Sequence, residues 1–143
     1  MSKFNDIRPI VLGIVKNDNK ILVEEGFDFV SGKHYYRCLG GGIEFLEKSY
    51  DAIKREFKEE INVDISVNKL LGICENIFTY EGKNAHELIL FYSVSIPKEN
   101  YQDKYIVTEE KEKSLAIWID IDEFKNKKKI IYPTQTIQYL YEA

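Results

Sequence analysis

The apolar positions along the chain change their period between its first third and its middle. Residues 8–16, 20–23 and 35–39 are short runs rich in Val, Ile, Leu and Tyr, which is typical of strands. The first two runs flank Asn17-Asp18-Asn19, residues that tolerate turn geometry, so they predict a hairpin. We expect the third strand to stop at the three glycines 40–42.

From residue 46 onward the apolar residues recur every three or four positions, which places them on one face of a helix. They are Leu46, Tyr50, Ile53, Phe57 and Ile61. Strand-like runs return at 63–78, 86–96 and 115–121, and residues 134–141 predict a closing helix after Pro133. Strands on both sides of one strong helix predict an α/β fold with helices packed on a mixed β-sheet.

Composition narrows the class of protein. A chain of 143 residues that is 44% hydrophobic can bury a core, and we expect residues 1–143 to form a single domain. The formal charge of −4 argues against nucleic-acid and anionic-membrane partners, which usually need a basic face. The polar opening residues, two cysteines without C-x-x-C spacing and the lack of a spanning apolar run predict a cytoplasmic protein with free thiols.

The segment that carries candidate chemistry begins at the glycines, whose backbone lets a ligand approach closely. The helix that follows carries Glu56, Glu59 and Glu60 on its other face, where they are surface neighbours that repel one another unless a cation joins them. Oxygen ligands favour Mg²⁺ or Mn²⁺ over zinc. Taken alone, these residues are also typical of a solvated acidic helix face.

A longer spacing separates these two interpretations. Gly41 is followed after five residues by Glu47, and Glu47 after seven by Arg55-Glu56. The positions that follow are Phe57, Glu59-Glu60 and Val63. This segment resembles the Nudix box, G-x5-E-x7-R-E-U-x-E-E-x-G-U, in which U is a bulky apolar residue. Asn62 replaces the second glycine, and Asn is the usual second choice for the left-handed residue that ends a helix.

The resemblance implies an α/β/α sandwich and a Mg²⁺- or Mn²⁺-dependent hydrolysis of a nucleoside diphosphate linked to another moiety. It implies that Glu56, Glu59, Glu60 and a carbonyl in the glycine segment, at Gly40, bind the metal. Glu47 would bond into the loop, and Arg55 would orient the carboxylates. The base would be Glu56 or a glutamate outside the box, for which the candidates are Glu87, Glu109, Glu110 and Glu112.

Further candidates lie on the strand that enters the glycines. The chain has three arginines against seventeen lysines, so an arginine indicates a bidentate site. Arg37 is therefore either a phosphate clamp or half of a structural ion pair. Tyr36 could stack on a base or pack in the core. Glu87 opens a strand, where it is either an exposed strand end or a group that approaches the metal.

Three functional alternatives stay open at this stage. The leading one is a pyrophosphohydrolase acting on a nucleotide sugar, a dinucleoside polyphosphate or a nucleoside triphosphate. The second is a non-catalytic Nudix-like domain that senses a nucleotide, although such domains often lose box carboxylates that this chain keeps. The third is isomerisation of an isoprenoid diphosphate, which would need a positioned Cys and Glu. The faces of the sheet and helix could also support a homodimer.

Overall fold

The computed structural model describes residues 5–109 and 112–143. It contains seven strands and two α-helices: β1 Ile7–Asn17, β2 Lys20–Asp28, β3 Lys33–Gly42, α1 Ser49–Ile61, β4 Ser66–Tyr80, β5 Lys83–Ser95, β6 Lys104–Glu109, β7 Glu112–Asp120 and α2 Ile121–Lys125. Two 3₁₀ segments, Lys98–Asn100 and Thr134–Tyr139, complete the described elements. None of the helices in this part of the chain is long and apolar enough to cross a membrane.

The strands form one mixed sheet in the order β4-β5-β1-β3-β2-β7-β6. Strands β1 and β5 run parallel, whereas the other pairs are antiparallel, which confirms the predicted mixed sheet. The hairpin of β1 and β2 also forms as predicted, with residues 18 and 19 in the turn.

Strand β3 changes partners halfway along its length. Residues 33–38 pair with β2, whereas residues 39–42 pair with β1. In the described ranges no strand pairs with the other edge of residues 40–42, so the glycines form an open edge inside the sheet.

Two apolar layers hold the helices against the sheet, one on each face. On one face α1 buries Ala52, Ile53, Phe57 and Ile61 against the strands. On the other face α2 buries Ile121 and Phe124. Burying a side chain such as Phe57 stabilises the fold by about 1.5–3 kcal/mol, so each layer fixes its helix firmly. The α/β/α arrangement follows from these two layers.

The predicted end of β3 and the predicted start of α1 are both wrong. The backbone of residues 40–42 pairs with β1, so the strand continues through the glycines. Leu46 has a left-handed φ of 69° and is 91% exposed, so the helix begins only at Ser49. Tyr50 is likewise exposed, and the buried stripe of α1 therefore starts at Ala52.

Elements near the end of the chain also differ from expectation. The predicted closing helix is a 3₁₀ segment over Thr134–Tyr139, and the predicted strand at 63–78 begins only at Ser66. Strand β6 and helix α2 were not predicted, because both are short and their apolar residues become informative only against the rest of the core.

Asn62 ends α1 in the left-handed conformation that the sequence predicts. Its φ and ψ are 57° and 42°, and its N–H donates to the carbonyl of Lys58. Left-handed geometry is unfavourable for most residues but is tolerated by glycine and asparagine. The departure from the box at this position is therefore accommodated by the fold.

We expect Asn62→Gly to keep nearly the same free energy of unfolding as the parent chain. Asn62→Ala should lose about 1 kcal/mol of that free energy, because left-handed geometry is unfavourable for alanine. Urea denaturation of both variants measures the difference. A large loss in Asn62→Gly would show instead that the asparagine side chain bonds to the fold.

Candidate active site

Helix α1 places acidic side chains directly against the glycine segment of β3. Glu60 is 3% exposed, and its Oε1 accepts a hydrogen bond of 3.2 Å from the N–H of Gly40. The carboxylate of Glu56 lies against Gly41, where an added Cβ would stand 2.5 Å from the Glu56 Cδ. Only glycine at position 41 leaves room for this carboxylate.

The acidic face of α1 is not uniformly solvated, which disagrees with the alternative interpretation as a solvated helix face. The side chain of Glu59 is 57% exposed, whereas Glu56 is 15% exposed at its side chain and Glu60 is buried. Glu56 and Glu60 are one turn apart, so they lie in the same row at the border between the buried stripe and solvent. This row faces the glycines because Phe57, beside it, packs into the core.

The Arg55 guanidinium organises the carboxylates around it. Nε and Nη2 bind both oxygens of Glu47 at 2.7 and 2.9 Å, and Nη1 donates to Glu56 at 2.9 Å and to Glu59 at 3.3 Å. Nη2 also donates to the Gly42 carbonyl at 2.9 Å. All five N–H donors of the guanidinium are therefore engaged, which is the orienting arrangement that the resemblance implies.

The hydrogen bonds of this group shift its ionisation. Donation from Arg55 holds the pKa of Glu47 below its ordinary value, assisted by the N–H of Glu44. The hydrogen bond to Glu47, followed by that to Glu56, raises the pKa of Arg55 above its already high value. Glu47 and Arg55 therefore both stay charged at neutral pH.

The donor set fits a hard divalent cation in its chemistry, because every candidate ligand is an oxygen. Across residues 5–109 and 112–143, however, no three carboxylate, imidazole or thiol side chains are grouped closely enough to hold a metal. Glu56 and Glu59 turn to Arg55, and Glu60 turns to Gly40. Binding a cation would require Glu56 and Glu59 to exchange part of these contacts for it.

A second charged group lies beside the glycines. Arg37 Nη2 donates to Glu87 Oε1 at 2.9 Å, Arg8 Nη1 lies 3.9 Å from Glu87 Oε2, and the Asn76 amide is 3.5 Å from Oε1. Glu87 is 6% exposed, so its interpretation as an exposed strand end is wrong. Arg8 and Glu87 are register partners in the parallel β1–β5 pair, which brings their side chains together on one face.

Arg37 forms an ion pair with Glu87, and its role as a phosphate clamp stays a prediction. Arg8 was missed at the sequence level. The scarcity of arginine was the available signal, since all three arginines of the chain lie around Gly42 or share a carboxylate with one that does.

Tyr36 lies away from the glutamates of α1. Its ring packs edge-on against Phe124 with centroids 5.9 Å apart, and it lines a surface cavity of about 350 Å³ with Lys128 and Lys129. This position agrees with the core-packing alternative, and stacking on a base stays a prediction. Among the base candidates, Glu110 and the side chains of Glu109 and Glu112 lie outside the described part of the structure.

The cysteines carry no activated thiol. Both are free, and burial raises the pKa of Cys38 to about 12. Burial also raises the pKa of Cys74, with a further contribution from the Glu87 charge. Protonated thiols give no support to the isomerase alternative, which needs a positioned cysteine.

Comparison with known proteins decides the family. Residues 6–139 match the NUDIX domain family. The chain belongs to the Nudix family. The α/β/α arrangement that the box implied is the fold of this family. A search of curated proteins found no match to the sequence.

Several solved structures share the fold at low sequence identity. A MutT Nudix hydrolase from Burkholderia pseudomallei is 20% identical with a TM-score of 0.67, covering 97% of this chain and 99% of that one. An ADP-ribose pyrophosphatase from Streptococcus suis is 12% identical with a TM-score of 0.63, with 96% and 91% covered. A UDP-X diphosphatase is 15% identical with a TM-score of 0.68, with 99% and 64% covered.

We expect the Arg55–Glu47 pair to make the free energy of unfolding depend on pH in the acidic range. Because the folded pKa of Glu47 is depressed, its contribution is present above about pH 4.3 and is lost as the pH falls through the folded pKa. Glu47→Gln should therefore cost about 1.5–3 kcal/mol at pH 7, and less at pH 3.

Urea unfolding of both chains across this pH range measures the difference. Glu44→Gln is the matched control, because Glu44 is 67% exposed at its side chain and lies 3.7 Å from the same guanidinium. A Glu47→Gln deficit that is independent of pH would contradict the assignment.

Proposed function

We propose that this member of the Nudix family is a divalent-metal-dependent pyrophosphohydrolase that cleaves a nucleoside diphosphate linked to another moiety. The observation that carries the proposal is the intact set of box carboxylates at an open glycine edge, where Arg55 holds Glu47, Glu56 and Glu59 and the Gly40 N–H holds Glu60. The substrate class is a nucleotide sugar, a dinucleoside polyphosphate or a nucleoside triphosphate. The names of the UDP-X diphosphatase and of the ADP-ribose pyrophosphatase support a nucleotide-type substrate.

The proposed metal ligands are Glu56, Glu59, Glu60 and the Gly40 carbonyl, and the proposed ion is Mg²⁺ or Mn²⁺. Once bound, such an ion neutralises phosphate charge and acidifies a water molecule that can attack phosphorus. The Gly40 N–H already holds Glu60 at the glycine edge, and Arg55 holds Glu56 there. The protein therefore keeps two of the ligands beside the position that a phosphate would take.

Arg55 and Glu47 have positioning roles in this proposal. Glu47 fixes the guanidinium by two hydrogen bonds, and the guanidinium in turn limits the orientations of Glu56 and Glu59. Removing the Glu47 carboxylate would loosen every other contact of the guanidinium.

Glu56 is the proposed base, because its carboxylate lies against the strand at which a substrate would bind. Glu109, Glu110 and Glu112 stay candidates from the sequence. Glu87 is a weaker candidate than the sequence implied, because both of its oxygens face arginines. Several expectations from the sequence stay predictions. They are a phosphate clamp at Arg37, stacking of Tyr36 on a base, a single domain over residues 1–143, a cytoplasmic location, the lack of nucleic-acid partners and a homodimer.

The first experiment measures phosphate release, after phosphatase coupling, from nucleotide sugars, ADP-ribose, dinucleoside polyphosphates and nucleoside triphosphates. Each reaction is run with Mg²⁺, with Mn²⁺ and with chelator. We expect turnover of one class that disappears with chelator. A substrate that raises the melting temperature without being cleaved would favour the sensing alternative.

We expect Glu59→Gln to lower kcat on the selected substrate by at least about 100-fold with an unchanged melting temperature, because it removes a ligand charge from an exposed side chain. Asp51→Asn is the control, since it removes an exposed carboxylate from the first turn of the same helix. Full activity in Glu59→Gln would exclude Glu59 as a ligand.

Gly41→Ala tests the close approach of Glu56. The added methyl group would stand 2.5–2.6 Å from the carboxylate atoms, so Glu56 must move and kcat should fall at least about tenfold. Gly42→Ala is the steric control, because its methyl group would meet its nearest atom at 3.5 Å. Equal kcat values in the two variants would contradict the proposed role of Glu56.

A further inference from the structure

An anionic substrate needs cationic contacts that the Nudix box itself does not supply. The box has one arginine, and all five N–H donors of Arg55 already bind Glu47, Glu56, Glu59 or the Gly42 carbonyl. Arg55 could contact a phosphate only by releasing one of these partners. A diphosphate at the glycine edge must therefore find other positive groups.

The group formed by Arg8, Arg37 and Glu87 offers such positive groups. Within these three residues two guanidiniums face one carboxylate, while Glu24 is the register partner of Arg37 on β2. The arginine side chains are 29% and 25% exposed, whereas that of Glu87 is 7% exposed. The buried carboxylate of Glu87 thus holds the two guanidiniums, which stay partly open to solvent.

The two guanidiniums are not held equally. Arg37 Nη2 makes a hydrogen bond of 2.9 Å to Glu87, whereas Arg8 lies 3.9 Å away, beyond hydrogen-bond distance. Arg8 is therefore held less firmly on Glu87 than Arg37 is. At 3.9 Å from Glu87 the Arg8 guanidinium donates no hydrogen bond to that carboxylate, so its donors can be directed to a phosphate.

Arg8 also lies beside the glycine segment at which a substrate would bind. Its Nη2 lies 3.5 Å from the position of a Cβ on Gly42, whereas the corresponding position on Gly41 meets Glu56. Consecutive strand residues face opposite sides of a sheet, so the carboxylates and the guanidiniums flank the same glycine segment. In the described structure no strand pairs with the edge of this segment that lies away from β1. A phosphate chain that crosses this open edge therefore meets both the carboxylates and the guanidiniums.

We infer that Arg8 and Arg37 form a phosphate-binding pair beside Gly42, in which Arg8 contacts a non-reacting phosphate of the substrate and buried Glu87 positions both guanidiniums. The inference rests on the proposed function, because it concerns a phosphate of the same substrate. Arginine suits this task, since its planar fork can give two parallel hydrogen bonds to one phosphate.

The test uses inorganic pyrophosphate as the probe and the metal-free full chain in chelator, with affinity measured by calorimetry at low salt. We expect Arg8→Gln to weaken the affinity at least about tenfold, the loss that corresponds to one charge-assisted contact. Arg8→Lys should recover part of the loss because it keeps the charge without the fork. Lys16→Gln is the matched control, since it removes a charge from the other end of β1.

Stability separates binding from a structural role. Arg8→Gln should unfold within a few degrees of the parent chain, whereas Arg37→Gln should unfold clearly earlier because Glu87 loses its hydrogen-bonded partner. If Arg8→Gln fails to fold, the affinity of Arg8→Lys decides the question in the same way.

An unchanged affinity in a folded Arg8 variant would overturn the inference, as would a parent chain that does not bind pyrophosphate or an equal loss in Lys16→Gln. Because the binding is measured without metal and without turnover, its failure is distinct from failure of the proposed hydrolysis. On the selected substrate, Arg8→Gln should raise KM more than it lowers kcat, which a damaged catalytic centre would not do.

Discussion

The guanidinium of Arg55 joins the three parts of the site that must stay in register: the glycine strand, the loop before the helix and the helix itself. It reaches the Gly42 carbonyl, both oxygens of Glu47 and the carboxylates of Glu56 and Glu59. The Arg55 side chain is 23% exposed, so these charge-assisted hydrogen bonds are partly shielded from water. The carboxylates of one helix would repel each other without this partner.

The glycines impose the second constraint. Gly40 has a φ of 150°, and an added Cβ would stand 1.9 Å from the Val11 carbonyl. At the next residue a Cβ would collide with the Glu56 carboxylate. A side chain at position 40 would collide with backbone, and one at position 41 would displace Glu56, so the glycines let the acidic helix contact the strand while the strand still pairs with β1.

Charge is divided across this glycine segment. Carboxylates lie on the side of α1, and the Arg8 guanidinium lies at the next residue, on the other side, where it faces Glu87. In the proposed chemistry the carboxylates on the side of α1 would hold the metal, and the Arg8 guanidinium would contact a phosphate from the other side.

Much of the site could be predicted from the sequence because it is local. The order of Glu47, Arg55, Glu56, Glu59 and Glu60 lies within one loop and one helix, where the spacing of 3.6 residues per turn decides which side chains are neighbours. The left-handed end of the helix at Asn62 is local for the same reason. The central helix and the first hairpin follow from periodicity and turn residues, which need no distant partner.

Tertiary structure alone decided the features that depend on strand register. The continuation of β3 through the glycines needed β1 beside it, and the burial of Glu60 needed α1 to pack against that strand. Arg8 and Glu87 are distant in the chain and meet only because β1 and β5 pair in parallel. Sequence by itself determined the family motif and the order of its charges, since helical geometry is set by neighbours along the chain. The fold determined which charges are buried and which face a substrate, since burial depends on contacts between distant segments.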